Sequence, residues 1–307
     1  MKEPDLSVNL CGIRFKNPVI LASGTCGYGH ELLEFLDLNN IGGVVLKGLS
    51  LKPKKGNPRP RIHETPCGLL NSIGLENVGI EAFIKEKLPI IEGLKTNIIA
   101  NILGEDIDEY KEIAQILEKD APKVCAIEVN ISCPNVKAGG ISFGADPQMA
   151  SKVTEAVKKV TSKPIIVKLS PNVTDITQIA KAVEKSGADA ISLINTVLAM
   201  AIDIYKRKPV LSRVFGGLSG PAIKPIALRL VWQTVRAVNI PVIGIGGISS
   251  GKDAIEFLLA GASAIQIGTA TLVDPYISQN VIDEIKSYMK QMGFNKISEI
   301  SLIDLSN

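Results

Sequence analysis

Short apolar runs rich in Val and Ile alternate along this 307-residue chain with segments of helical periodicity. Eight of the runs have the length of a strand and are apolar at nearly every position. They are PVILAS (18–23), GGVVLKG (42–48), NIIANILG (97–104), CAIEVNIS (125–132), PIIVKLS (164–170), AISLINT (190–196), PVIGIGG (241–247) and SAIQIGT (263–269). Strands that are apolar on both faces and alternate with helices are typical of a parallel sheet covered on both sides.

Eight strand–helix units predict an α/β fold, a single TIM barrel, with one catalytic domain over residues 1–307. Helical patterns follow the strands, the first near HELLEFLDL (30–38) and the second near GIEAFIKEKLPIIEG (79–93). An N-terminal β-hairpin, SVNLCGIRFKNP (7–18), is expected to cover the closed bottom of the barrel. A doubly wound open sheet is the competing architecture.

Three connections are longer than usual for such a fold, at 49–75, 134–146 and 197–221. Each follows the carboxyl end of a strand, and barrel enzymes carry their sites at that face. The three connections are therefore predicted to be lids over a site.

Charge and cysteine content narrow the class of partner. The chain has 34 Lys and Arg against 31 Asp and Glu, a net charge of +3, which predicts no nucleic-acid partner. Five scattered cysteines without CxxC spacing predict no metal site and no cysteine-ligated cluster, and indicate reduced thiols. The first residues lack a signal-peptide pattern and no apolar run has the length of a membrane span. A cytoplasmic protein that binds small molecules, without a membrane partner, is expected.

Glycine-rich segments end the seventh and eighth strands, as GIGGIS (244–249) and Gly268-Thr269. TIM barrels commonly bind phosphate with the loops after these two strands, where glycine lets the backbone approach the anion. The pair of segments predicts phosphate binding, although a tight turn would also explain GxGG alone.

Polar residues end several of the other strands. Lys47 and Lys168 follow apolar residues, and a lysine facing the barrel needs an anion or hydrogen-bonding partners. Asn101, Asn130 and Asn195 add amides suited to a heterocycle that both donates and accepts. Taken singly, each lysine could extend to solvent and each asparagine could cap a loop. Together at one barrel mouth they favour a ligand.

Cys133, in the stretch NISCPN (130–135), follows the fourth strand. The chain has two histidines, His30 and His63, and neither falls at a strand end, so Cys133 is the main candidate for a general base. A thiol is reactive when cations or amides favour the thiolate and inert in apolar packing. Structural roles are expected for Cys11, Cys26 and Cys125. The basic run KPKKGNPRPR (52–61) is interpreted as a solvated loop without a role in the chemistry.

With these residues the sequence resembles the class 1 dihydroorotate dehydrogenases, flavin enzymes of pyrimidine biosynthesis, over essentially its whole length. The segments after Cys133 and after the sixth strand resemble the NAD-linked subgroup, class 1B. The resemblance is carried by ASGT (22–25), KGLS (47–50), NSIGLEN (71–77), ANILG (100–104), NISCPN (130–135), VKLSPN (167–172), INT (194–196), GGLSGPAIKPIALR (216–229), GIGGI (244–248) and QIGT (266–269).

The resemblance implies one FMN at the barrel mouth, with orotate or dihydroorotate stacked on it. Cys133 would remove the C5 proton of dihydroorotate, and Lys168 would stabilise the anionic reduced flavin. The implied FMN residues are Ser23, Lys47, Gly48, Asn101, Asn130, Lys168, Ile194, Gly220, Gly246, Gly247, Gly268 and Thr269. The implied substrate residues are Lys47, Asn71, Ser72, Ile73, Gly74, Leu75, Asn130, Asn195 and Thr196.

In the NAD-linked subgroup a separate subunit carries FAD and an iron–sulfur cluster and passes electrons to NAD. The resemblance thus implies a homodimer joined by two such subunits. This chain has INTVLAMAID and LSRVFGGLSG in the connection after the sixth strand, where relatives often differ, which leaves lid mobility and partner docking open. Alternatives are the fumarate-using class 1A, a dihydropyrimidine dehydrogenase-like flavoenzyme, and a non-redox barrel that binds a phosphorylated ligand.

Overall fold

Eight parallel strands close into a barrel in a computed structural model that describes residues 3–132, 134–135 and 141–300. Each strand pairs with the next in sequence, and the last pairs with the first. The strands are β1 (Val19–Leu21), β2 (Gly43–Val45), β3 (Asn97–Ile102), β4 (Val124–Asn130), β5 (Ile165–Leu169), β6 (Ala190–Leu193), β7 (Val242–Ile245) and β8 (Ala264–Ile267). The TIM barrel and its eight strand positions are confirmed.

Helices surround the barrel. Several begin at a side chain that accepts a hydrogen bond from the first turn, as at Asp106, Asp146, Asp175 and Ser250. The helices are α1 (Gly79–Ala82), α2 (Leu88–Ile91), α3 (Ile107–Asp120), α4 (Pro147–Lys158), α5 (Ile176–Lys185), α6 (Lys224–Val235), α7 (Gly251–Leu259), α8 (Ala270–Val273) and α9 (Ile277–Met292). No helix in the described parts of the chain is long and apolar enough to cross a membrane.

The predicted helix near HELLEFLDL does not form. The segment instead holds two short 3₁₀ turns, His30–Leu32 and Leu38–Asn40. The Glu31 carboxylate accepts a hydrogen bond from the Tyr28 backbone N–H, and Asp37 accepts one from Asn39. Such local side-chain bonds satisfy the backbone in turns and compete with a continuous helix.

The second helical segment is continuous but contains a π-helical turn, Phe83–Lys87, between α1 and α2. The backbone N–H of Leu88 donates to the carbonyl of Phe83. Pro89 follows directly; it has no N–H to donate and its ring disfavours regular α-helical packing of the preceding turn, which is consistent with the local widening.

The N-terminal hairpin, Val8–Leu10 and Ile13–Phe15, closes the amino end of the barrel as predicted. Its turn residues Cys11 and Gly12 both have positive φ, 54° and 79°, as tight hairpin turns require. Leu10 and Phe15 pack on an apolar layer to which each barrel strand contributes one residue. These residues are Ile20, Val45, Ile99, Ala126, Ile166, Ala190, Ile243 and Ala264.

The long connections after β2 and β6 combine into one antiparallel sheet, which we call the lid sheet. Its order is Val197–Ala199, Gly216–Ser219, Gly68–Asn71 and Ile62–Thr65. The connection after β4 has short paired strands, Pro134–Asn135 and Ile141–Ser142, and residues 136–140 between them lie outside the described residues.

Candidate active site

A polar layer lies above the apolar layer of the barrel interior. Side chains alternate along a strand, so a residue two positions beyond an interior residue faces the same way. At these positions are Lys47, Asn101, Glu128, Lys168, Ser192 and Gln266. The floor of the barrel mouth therefore carries amides, two ammonium groups and one carboxylate.

Glu128 is at the centre of this layer. Its Oε1 accepts a hydrogen bond from Asn101 Nδ2 at 2.8 Å and lies 3.5 Å from Lys168 Nζ. Its Oε2 accepts hydrogen bonds from Ser192 Oγ at 2.9 Å and Gln266 Nε2 at 2.8 Å. The sequence motifs did not predict Glu128, Ser192 and Gln266 as part of the site, although a charged residue inside the apolar run CAIEVN is an available signal.

One cavity of about 870 Å³ opens above the polar layer. The sequence-predicted site residues in the described part of the chain all line it. They are Ser23, Lys47, Gly48, Asn71, Ser72, Ile73, Gly74, Leu75, Asn101, Asn130, Lys168, Ile194, Asn195, Thr196, Gly220, Gly246, Gly247, Gly268 and Thr269. Tertiary structure thus brings together residues separated by up to about 250 positions in sequence.

The amide side chains at the mouth are oriented by hydrogen bonds to one another. Asn130 Oδ1 accepts from Asn195 Nδ2 at 3.3 Å, and the Asn130 carbonyl accepts from the Tyr110 hydroxyl at 2.7 Å. Asn195 Oδ1 in turn accepts from the Thr196 N–H at 2.8 Å. The ends of β4 and β6 therefore present a connected set of donors and acceptors to the cavity.

The loop 71–75 forms the other wall of the cavity. Asn57 holds it, with its N–H donating to the Ile73 carbonyl and its Nδ2 donating to the Ser72 carbonyl, both at 2.9 Å. Arg61 forms an ion pair with Glu76, and both residues line the cavity. The interpretation of 52–61 as a solvated loop is thus wrong for Arg61, which lines the cavity, and for Asn57, which is bonded to the cavity wall.

The glycines after β7 leave no room for side chains. Gly247 has φ +70°, and a Cβ there would lie 2.8 Å from the Lys224 nitrogen and 2.9 Å from the Gly220 carbonyl oxygen. Gly246 has φ +130° and Gly220 has φ +89°. Only glycine adopts these conformations readily, so the backbone itself forms this end of the cavity.

An ion pair supports the same loop from outside. Lys224 Nζ lies 2.7 Å from an Asp253 carboxylate oxygen and 3.0 Å from Glu256, and Asp253 also accepts from Ser249 N and Oγ at 3.0 Å. The hydrogen bond to Asp253 raises the pKa of Lys224. Partial burial acts to raise the pKa of Asp253, but the hydrogen bonds from Lys224 and the serines outweigh it and lower the pKa.

Cys133 lies outside the described residues, and its neighbour Ser132 lines the cavity. Cys11, Cys26 and Cys125 do not line the cavity. Burial raises the pKa of Cys11 and Cys26 to about 12 and that of Cys125 to about 11. Cys26 donates to the carbonyls of Ala22 and Val45. Neutral thiols that are buried, as Cys26 is, or partly buried, as Cys11 and Cys125 are, are inert, in agreement with their predicted structural roles.

A closed barrel with a polar floor, glycine loops after its last two strands and a lid over the carboxyl-end mouth is the architecture of a TIM-barrel enzyme. The model of the dihydroorotate dehydrogenase family matches residues 5–289, and the chain belongs to this family.

Full-length relatives define the similarity more closely. The catalytic subunit of dihydroorotate dehydrogenase B (NAD(+)) from Geobacter sp. (strain M21) is 57% identical over 300 residues, 98% of each chain. The proteins of the same name from Geotalea daltonii and Geobacter sulfurreducens are 55% identical, again over 300 residues and 98% of each chain. The resemblance to the NAD-linked subgroup seen in the sequence motifs is confirmed.

Proposed function

We propose that this chain is a catalytic subunit that oxidises dihydroorotate to orotate in pyrimidine biosynthesis, with NAD as the final electron acceptor. The observation that carries the proposal is the convergence of Lys47, Lys168 and the three asparagines on one cavity with a glycine-formed end, in a chain of this family. The proposal takes residues 1–307 as one catalytic domain.

The described residues fit an FMN in this cavity. A volume of about 870 Å³ suits a cofactor of that size. Asn101 Oδ1 is buried at the cavity and has no hydrogen-bond partner among the described residues, so it is available to a ligand donor. At Gly268 a Cβ would meet nothing closer than Ala22 Cβ at 3.6 Å, so protein packing does not require glycine there. A ligand against the backbone would require it.

The residues proposed to hold FMN fall into two groups. Side chains and backbone at the floor would contact the flavin ring and ribityl chain, and the glycine loops after β7 and β8 would bind the phosphate. The first group is Ser23, Lys47, Gly48, Asn101, Asn130, Lys168 and Ile194. The second group is Gly220, Gly246, Gly247, Gly268 and Thr269.

Orotate is planar and carries a carboxylate and ring amides, so it needs a cation and groups that both donate and accept. The loop 71–75 and the β4 and β6 ends supply backbone and side-chain groups of this kind around Lys47. The proposed substrate residues are Lys47, Asn71, Ser72, Ile73, Gly74, Leu75, Asn130, Asn195 and Thr196.

Oxidation of dihydroorotate removes a proton from C5 and a hydride from C6, which leaves the C5–C6 double bond of orotate. Bound FMN supplies the hydride acceptor. Cys133 is the proposed base for the C5 proton. Lys168 would place positive charge beside the ring system, and the lid sheet would limit the access of water.

The proposal assigns the remaining electron carriers to another chain, a subunit with FAD and an iron–sulfur cluster that delivers electrons to NAD. The absence of CxxC spacing in this sequence supports that division. Two such subunits on a homodimer of this chain complete the proposed assembly.

Anaerobic reduction of the flavin tests the function. The purified chain loaded with FMN is expected to lose its yellow colour on addition of dihydroorotate and to keep it on addition of dihydrouracil. Fumarate should not restore the colour efficiently, whereas the electron-transfer subunit with NAD should. Bleaching by dihydrouracil instead would favour the dihydropyrimidine dehydrogenase-like alternative, and failure to bind FMN would favour a non-redox barrel.

A further inference from the structure

We propose that Glu128 is a positioning residue that holds Lys168 at the floor of the cavity and sets how strongly its ammonium group favours the reduced, anionic form of FMN. The inference rests on the proposed function, because it concerns FMN, the cofactor that the proposed function requires. Glu128 itself does not line the cavity, so it would act through Lys168.

Burial makes a charge at this position costly. Glu128 is 0% exposed and Lys168 is 6% exposed. A carboxylate taken out of water is tolerated when hydrogen bonds and an opposite charge replace its hydration. Glu128 has both, with three neutral donors at 2.8–2.9 Å and the Lys168 ammonium at 3.5 Å.

The four partners of the Glu128 carboxylate have two different roles. Asn101, Ser192 and Gln266, from β3, β6 and β8, fix the carboxylate in the middle of the barrel. Lys168 is farther from the carboxylate than these donors and also lines the cavity. Its ammonium therefore lies between a fixed internal carboxylate and the space proposed for the flavin.

The charge of Glu128 determines in which direction its loss should shift the midpoint potential of the bound flavin. The Glu128 carboxylate, 3.5 Å from the Lys168 ammonium, neutralises part of its positive potential from below. Removing the carboxylate leaves the ammonium uncompensated in a low-dielectric site, where it stabilises an added negative charge more strongly. Loss of the Glu128 charge should therefore favour the anionic reduced flavin and raise the midpoint potential of the bound cofactor.

The test compares Glu128→Gln with the unmodified chain, both loaded with FMN, by spectroelectrochemical titration of the flavin. Glutamine has nearly the same shape and can still accept from some of the donors. In Glu128→Gln we expect the ratio of the affinity for reduced FMN to the affinity for oxidised FMN to be at least tenfold higher than in the unmodified chain. For a two-electron couple this corresponds to an upward shift of about 30 mV or more.

Ser192→Ala is the matched control, because it removes a hydrogen bond to the same carboxylate and leaves the charge in place. For Ser192→Ala, the ratio of the affinity for reduced FMN to the affinity for oxidised FMN is expected to change less than threefold. Glu128→Asp keeps the charge and should stay closer to the unmodified potential than Glu128→Gln. A Glu128→Gln shift that is downward, or no larger than that of Ser192→Ala, would overturn the proposal.

If Glu128→Gln does not fold, Lys168→Gln is compared with the double variant Lys168→Gln/Glu128→Gln, in which neither charge remains. The single variant leaves the carboxylate uncompensated, so its potential should lie below that of the double variant. Equal potentials of the single and double variants would limit Glu128 to a structural role. The same conclusion would follow if both Glu128 variants fail to fold while Lys168→Gln folds. Failure of the unmodified chain to bind FMN would instead contradict the proposed function.

Discussion

The cysteines that the structure describes have different environments. Cys11, Cys26 and Cys125 donate to backbone carbonyls and are packed as neutral thiols, with their pKa raised by burial. Cys67 is exposed. In sequence Cys133 follows Ser132, which lines the cavity. This sequence position is why Cys133, and none of the other thiols, is the proposed base.

Replacing Cys133 with Ala tests its role as the base. We expect the variant to bind FMN normally and to be reduced by dihydroorotate about 10²–10⁴ times more slowly, because proton removal loses its acceptor. Stopped-flow measurement of flavin absorbance under anaerobic conditions gives the rate. Cys67→Ala makes the same change at an exposed thiol outside the cavity and should keep the normal rate. Near-normal reduction of Cys133→Ala would exclude the thiol as the base.

A methyl group at Gly268 tests the proposed phosphate end of the site. Gly268 has no positive φ and has room for a Cβ, so Gly268→Ala should fold with an unchanged melting temperature. We expect FMN binding to weaken at least tenfold, because the methyl group would occupy space at the cavity surface. FMN fluorescence titration of the apoprotein measures this. Gly93→Ala, where a Cβ meets nothing within 4 Å, is the control. Unchanged affinity would place the phosphate elsewhere.

Elements at the mouth are held by contacts between distant segments. Ser212 Oγ donates to the Pro58 carbonyl at 2.6 Å, its N–H donates to the Pro60 carbonyl at 2.7 Å, and Arg213 Nε donates to Asn57 Oδ1 at 3.3 Å. Ser212 and Arg213 belong to the segment LSRVFGGLSG (211–220). These hydrogen bonds therefore hold the connection after β6 against the connection after β2.

The ion pair between α6 and α7 gives a pH-dependent prediction. The pKa of Asp253 is lowered below its ordinary value of 3.8 in the folded state, so its carboxylate stabilises the fold above that pH. The contribution is lost as the pH falls through the lowered pKa. Asp253→Asn is expected to lower the free energy of unfolding by about 1–2 kcal/mol at pH 7. The difference from the unmodified chain should shrink below about pH 3.8.

Urea unfolding at several pH values measures this difference. Glu256→Gln is the matched control, since its carboxylate contacts the same ammonium at 3.0 Å but accepts nothing from the Ser249 loop residue. Its effect at pH 7 should be smaller than that of Asp253→Asn. A difference that persists unchanged at pH 2–3 would show that the Asp253 charge does not stabilise the fold.

At the scale of the whole molecule, large apolar side chains are exposed along the connection after β6. Ile204 is 72% exposed and Tyr205 is 91% exposed, with Leu198, Met200 and Phe215 nearby in sequence. Exposed apolar residues grouped in this way are typical of a protein–protein interface. The proposed homodimer predicts that this surface contacts a second copy of the chain.

The double variant Ile204→Ser/Tyr205→Ser tests this assignment. We expect the unmodified chain to sediment as a dimer and the variant to sediment as a monomer at micromolar concentration, because two apolar contacts are lost from each copy. Val273→Ser, at an exposed apolar residue of α8, is the control and should remain dimeric. A dimeric double variant would place the interface on another surface.

The sequence alone determined the barrel, since eight runs apolar on both faces and joined by crossover segments have few other ways to bury their surface. It also determined which strand ends carry glycine, lysine and asparagine, because these residues interrupt the apolar runs. The helix expected at HELLEFLDL failed because side chains of Glu31 and Asp37 satisfy the backbone in turns.

Tertiary structure alone decided which alternate positions face the interior. When both faces of a strand are apolar, the two-residue period does not distinguish them, and only barrel closure and strand register do. Glu128 and Gln266, separated by 138 residues, meet for that reason. The pairing of Leu69 with Ser219 likewise joins two lids that seemed independent in sequence and brings Arg61 to the cavity.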